Sequence, residues 1–165
     1  MTGTRLGSSL ALIFAVSGSL SPATAQAPAD DRAQVLALAD SALATISRND
    51  FVALTDLMLD SAVTFSAGER DGKAWTRSRT RAAERAMQSD RKFTERGFDP
   101  QVMISGPIAV VWLPYDFYLD GAWSHCGVDV FTLLRAEAGW RIATIAWSVA
   151  QPPACRAHPG GPPPS

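Results

Sequence analysis

Residues 108–135 read IAVVWLPYDFYLDGAWSHCGVDVFTLLR, and residues 139–149 read GWRIATIAWSV. Together they predict three consecutive antiparallel strands. β-branched and aromatic residues dominate each run, and Asp120-Gly121 supplies the positive φ values of a tight hairpin turn. A second reversal falls between Arg135 and Gly139. With a two-residue first loop, Leu119 faces Ala122, and counting outward sets Asp116 opposite His125 and Trp112 opposite Asp129. Directly opposed residues share a face. One face is therefore expected to carry Trp112, Asp116, Tyr118, Trp123, His125, Asp129 and Phe131, an acid and imidazole cluster among aromatics. The other is expected to carry Val111, Leu113, Tyr115, Phe117, Val128, Val130, Leu134, Trp140 and Ile142. A sheet with two apolar faces needs cover on both. Helices can cover one, and a second copy of the chain is the expected cover of the other, giving a homodimer.

Upstream, residues 29–48 predict a helix with Val35, Leu38, Ala39, Ala42, Leu43 and Ile46 on one face. Asn49-Asp50 breaks it and can cap a second helix from Phe51 to near Leu59. Residues 62–67 alternate as a short strand, and 68–72 read as a turn. Ser78 is expected to cap a third helix to about Ser89, with Arg77, Arg79, Arg81 and Arg85 on its solvated face. Residues 93–105 read as one irregular strand, bent near Asp99-Pro100. Glu95 is the charged residue there most suited to point inward.

The chain has 165 residues, enough for one domain with a substantial core, and a net charge of −1. That balance gives no basic footprint for nucleic acid. Residues 1–25 have the form of a secretory signal peptide: Arg5, an apolar run to Leu20, then Ala23-Thr24-Ala25 ahead of Gln26. The expected division is leader 1–25, domain 26–150 and a Pro/Gly-rich tail 151–165, disordered beyond Cys155. The expected location is periplasmic or secreted, with no membrane attachment after cleavage. Export makes a disulfide plausible. Pairing Leu134 with Trp140 puts Ser148 opposite Cys126, so the tail leaves the sheet beside Cys126 and Cys155 can return to it. Such a bond closes about thirty residues and contributes about 3 kcal/mol. His158 falls in the tail, outside any expected site.

Asn49-Asp50-Phe51 after a long helix, Ala109-Val110-Val111 within residues 108–118, the HCGVDVFTLLR strand and Gly139-Trp140-Arg141-Ile142 carry a resemblance. The chain resembles the nuclear transport factor 2-like superfamily, which includes ketosteroid isomerase, polyketide cyclases and scytalone dehydratase. The resemblance implies an α+β fold, a curved antiparallel sheet with N-terminal helices on its concave side, enclosing a conical pocket. It implies little about function, because that fold serves enzymes, ligand binders and association modules.

Three readings follow. In one, Trp112, Tyr118, Trp123, Phe131 and Trp147 wall a pocket for a small apolar or aromatic ligand, with Asp116 and His125 at its polar end. In another, the chain is a lyase or isomerase in which His125, tuned by Asp116, is the general acid or base and Asp129 orients it or acts as partner acid. In the third, Asp116 and His125 form a satisfied cross-strand pair in a filled core. No cofactor is implied. One usable His and two Asp can bind a divalent ion, but no spacing motif demands a metal.

Overall fold

The computed structural model describes residues 28–164 and the isolated Gly3; the leader 1–25 lies essentially outside the described residues. Helix α1 (Pro28–Ser47) is followed by α2 (Phe51–Asp56), β1 (Met58–Arg70), β2 (Lys73–Thr80), α3 (Arg81–Arg85), β3 (Phe93–Gly97), β4 (Gln101–Ser105), β5 (Ile108–Leu119), β6 (Ala122–Ala136) and β7 (Gly139–Val149). The strands form one sheet in the order β2-β1-β7-β6-β5-β3, with β4 also on β5. Every pairing is antiparallel except β1 with β7. Among the described residues no helix is long and apolar enough to cross a membrane.

α1 buries the expected stripe: Val35, Ala39, Ala42 and Leu43 are core, with Leu38 and Ile46 packed beside them. Asp50 caps α2, its carboxylate accepting the Ala53 N–H at 2.9 Å. Against these helices lies the sheet's inner face, Val111, Leu113, Phe131, Leu133, Ile142 and Ile145. This is the α+β architecture expected: helices on one side of a curved, unclosed sheet.

The predicted third helix is shorter than expected: its first residues, 78–80, belong to a strand. Asp71 and Gly72 both have positive φ, 54° and 71°, and turn β1 straight back into β2. Helix survives only over Arg81–Arg85, capped by Thr80 rather than Ser78. Residues 93–105 are two strands, not one. Asp99, at φ 48°, breaks them apart, so β3 pairs with the far half of β5 and β4 with the near half.

The first β5–β6 turn is as expected, with Leu119 opposite Ala122 and Tyr118 opposite Trp123. One step further, a bulge at Ser124 sets Phe117, not Asp116, opposite His125. The extra residue reverses every facing relation beyond it. Asp116 lies opposite Cys126, and Trp112 opposite Val130. The last hairpin also differs from the count: Leu134 faces Arg141, and Cys126 bridges to Ala150 rather than Ser148. Two residues preserve facing, so the tail still leaves beside Cys126.

Cys126 and Cys155 are joined in a disulfide, their Cα atoms 5.9 Å apart. Beyond it the tail is not loose. The His158 N–H donates to Asp116 Oδ2 at 3.1 Å, the His158 ring meets Phe98 edge-on, and Arg156 pairs with Asp99.

Candidate functional site

Inner face and helices enclose a partly open cavity of about 170 Å³. The apolar lining comes from Leu43 and Ile46 of α1, Phe51 and Leu54 of α2, and Phe93, Phe117, Phe131, Ile145 and Trp147 of the sheet. Six polar side chains interrupt it: Thr64, Arg79, Glu84, Glu95, His125 and Asp129.

Strand register explains how distant residues meet. Glu95, Phe117 and His125 form one row across β3, β5 and β6. Phe117 stacks on the imidazole at 4.6 Å between centroids, and Tyr115 meets it edge-on at 5.8 Å. Ser124 Oγ lies 3.1 Å from His125 Nδ1. Burial lowers the His125 pKa from its ordinary value, so the ring is neutral at pH 7.

Asp129 sits in another row, opposite Leu113 and Trp147. It lies four positions along β6 from His125, a backbone span of about 13 Å. No hydrogen bond joins the two among the described residues, so Asp129 does not orient the imidazole. Its closer electrostatic partner is Glu95. Burial pushes the Glu95 carboxyl up to about 8. Burial first, and Glu95 second, hold Asp129 well above the usual carboxylate range. The two carboxyls behave as a pair that retains at least one proton at neutral pH. Tyr115, in the row between them, has its phenol pKa raised by burial and then by both acids, and its OH donates to the Ser148 carbonyl at 2.9 Å. Asp129 Oδ2 is buried with no hydrogen-bond partner among the described residues.

The opposite wall holds an ion pair. Arg79 Nε donates to Glu84 Oε2 at 2.7 Å, and the Thr64 hydroxyl donates to the same oxygen at 2.9 Å. The Arg79 guanidinium lies 5.7 Å from the centre of the Trp147 ring. Chemically, the cavity offers a neutral imidazole as acceptor, a carboxyl pair as donor, and a fixed cation.

No protein-family model matches the chain, and no curated protein matches it in sequence. Solved structures do match. A Novosphingobium aromaticivorans NTF2-like protein with a cystatin-like fold is 19% identical, with a TM-score of 0.61 over 76% of this chain and 86% of that one. A candidate dehydratase of the NTF2-like family from Streptomyces avermitilis is 17% identical, with a TM-score of 0.59 over 75% and 99%. An NTF2-like protein of unknown function from Pseudomonas putida is 14% identical, with a TM-score of 0.58 over 79% and 94%. The chain has the nuclear transport factor 2-like fold.

Within that nuclear transport factor 2-like cone, the expected site residues divide between two faces. His125, Asp129, Phe131 and Trp147 line the cavity. Asp116 does not: it lies on the outer side, fully buried, accepting from Arg96 Nε at 3.0 Å and Arg96 Nη2 at 2.6 Å. It is a structural anion held under the tail, and the expected Asp116–His125 pair does not form. Trp112 is on the outer face and 46% exposed. Tyr118 and Trp123 oppose each other outside the cavity, Tyr118 beneath the Arg96 guanidinium at 5.4 Å. The cause in each case is the single residue inserted at Ser124.

Sequence reasoning singled out Glu95 as inward-pointing without placing it. Arg79, Glu84 and Thr64 were missed because the third helix was expected to start at Ser78, so residues 73–80 were not read as a strand paired with β1. The missed signal is Asp71-Gly72: a two-residue turn there pairs Arg70 with Lys73, and counting back sets Arg79 opposite Thr64, as found.

Proposed function

We propose that the cavity is a ligand pocket for a small, largely apolar molecule about one substituted ring in size, its polar group directed at Asp129 and Glu95. The volume supports this scale, since an apolar cavity of about 150 Å³ takes benzene. The observation that carries the reading is the Asp129 carboxyl. A buried oxygen with no protein partner costs about 1–3 kcal/mol, and a hydroxyl or carbonyl from a ligand would relieve that cost. Phenol and cyclohexanol should raise the melting temperature of the wild-type protein, and less so in the isosteric, apolar Asp129→Leu. If no single-ring probe shifts it, the cavity is packing space and the reading fails.

A second reading, a lyase or isomerase, is favoured by one observation: a proton-holding carboxyl pair and a neutral imidazole face the same space. His125 would accept a proton and the Asp129–Glu95 pair would donate one. His125→Gln should then leave ligand capture intact while abolishing turnover of the molecule that native mass spectrometry finds bound. Turnover that survives His125→Gln excludes the imidazole as base.

The chain is further proposed to work outside the cytoplasm after cleavage behind Ala25, as domain 26–150 with a strapped tail. The Cys126–Cys155 bond supports an oxidising compartment, and N-terminal sequencing of the exported protein tests it. The outer sheet face, with Phe65, Trp112 and Ile108 each nearly half exposed, supports a homodimer through that face.

A further inference from the structure

β1 and β2 form a long hairpin whose register fixes which side chains share a face. Thr64, Ser66, Gly68 and Arg70 lie opposite Arg79, Arg77, Trp75 and Lys73. Thr64 and Arg79 line the cavity, so this is the hairpin's pocket-side face. Its paired strand residues include four cations and no acid; Asp71 sits at the turn beside Arg70 and Lys73, and Glu69 falls on the other face, opposite Ala74. Trp75 lies across Gly68, where a Cβ would come within 2.7 Å of the indole, so glycine leaves room for the ring. Arg77 in turn sits over Trp75 at 5.4 Å.

The cations of α3 are already engaged. Arg81 and Arg85 pair with Asp56 and Asp60. Arg70, Lys73 and Arg77 have no ion-pair partner among the described residues. Arg79 is intermediate, and its arrangement is the decisive one. Glu84 takes its Nε, while its two terminal amino groups meet no acceptor among the described residues. Glu84 is itself buried and fixed by Thr64. The guanidinium is thus oriented through one nitrogen, backed by Trp147, and keeps the NH2 fork that grips a carboxylate with two parallel hydrogen bonds. Among the described residues the other cavity acids are Glu95 and Asp129, whose charged forms burial disfavours, so they offer a carboxylate ligand reduced repulsion.

We infer that the pocket's ligand is a small ring-bearing carboxylate, gripped by the Arg79 fork and drawn in along the cationic face of the β1–β2 hairpin. The inference rests on the ligand-pocket reading above and adds the charge of the ligand to it. The ring occupies the apolar wall between Phe131 and Trp147, and Asp129 meets any hydroxyl or carbonyl at the far end. A field dominated by one sign of charge beside a cleft speeds capture of the opposite charge and is weakened by salt.

The test is calorimetric titration with benzoate and benzamide, which share a shape and differ in charge. Benzoate should bind about 10- to 100-fold more tightly than benzamide to the wild-type protein. The Arg79→Gln/Glu84→Gln double variant, which leaves no stranded carboxylate, should erase that preference without changing the circular dichroism. Lys73→Gln/Arg77→Gln should slow benzoate association at low salt and leave benzamide unaffected. If the two compounds bind equally and the Arg79 variant changes neither, the anion inference is overturned while the pocket reading stands. If neither binds at millimolar concentration, both are overturned.

Discussion

Replacing Glu95 by Gln should make the protein more stable at alkaline pH and flatten its pH profile. The sign follows from the direction of the shift. In the folded chain the Glu95 carboxyl is pushed from 4.5 up to about 8 by burial, so the folded state binds the proton more tightly than the unfolded state. Stability from this group is therefore intact below about pH 4 and is lost as pH climbs to about 8. Between about pH 5 and pH 8 the full linkage is about 3–4 kcal/mol, at 1.36 kcal/mol per pH unit. Glu95 as a residue keeps partial contact with solvent, which discounts the expectation to about 2 kcal/mol. His125 works in the opposite sense. Its folded pKa is lowered, so its contribution grows as pH rises toward 6.5. Comparing wild type with Glu95→Gln at each pH cancels that contribution. Asp31 and Asp120, lowered by Arg135 and Arg91 respectively, act only below the usual carboxylate range and stay outside the window. Urea midpoints at several pH values are the assay. The wild-type protein should lose about 2 kcal/mol more than Glu95→Gln across the window. Parallel profiles, or a wild type that gains on the variant with rising pH, would refute a buried, proton-holding Glu95.

Asp116→Asn should cost about 2–4 kcal/mol, because it leaves Arg96 half-buried against a neutral amide and weakens the tail's anchor at His158. The same substitution should leave the His125 titration, followed by NMR, where it was, since the two side chains lie on opposite faces of the sheet. A shifted imidazole would mean that the bulge at Ser124 is misplaced. Trp112→Arg places a cation in the outer apolar face and should convert a dimer to a monomer by light scattering, without loss of melting temperature; an unchanged mass excludes that face as the interface.

How legible the fold and the site were depends on a turn and a bulge. The sequence holds two Asp-Gly turns, Asp71-Gly72 and Asp120-Gly121, and all four residues have positive φ. The second sits between long runs of Val, Phe, Tyr and Trp and reads at once as a hairpin. The first sits between polar residues, and Arg77 to Met87 contains alanine and arginine, good helix formers. Propensity pointed to a helix, while pairing with β1 made a strand of residues 73–80. Helix α1, the Asp50 cap and the β5–β6–β7 meander were legible because periodicity, capping and turn chemistry agreed there. The charged wall built from Arg79 and Glu84 was not, because it depends on which element residues 73–80 join.

The bulge at Ser124 had no sequence mark at all. Trp123-Ser124-His125 contains neither Gly nor Pro, and its neighbours alternate regularly. Yet one inserted residue decides which acid meets the pocket. Without it Asp116 would face His125 across β5 and β6. With it, Phe117 takes that place, Asp116 passes to the Arg96 side, and Glu95, one strand further on, becomes the acid in the imidazole's row. The exchange replaces a charge beside the ring by a stacked aromatic, which is why burial rather than ion pairing sets the His125 pKa. Burial in such a pocket disfavours the charged forms of its His and of the Glu95–Asp129 pair. Any ligand charge must then be met elsewhere, and the cation available inside it is Arg79.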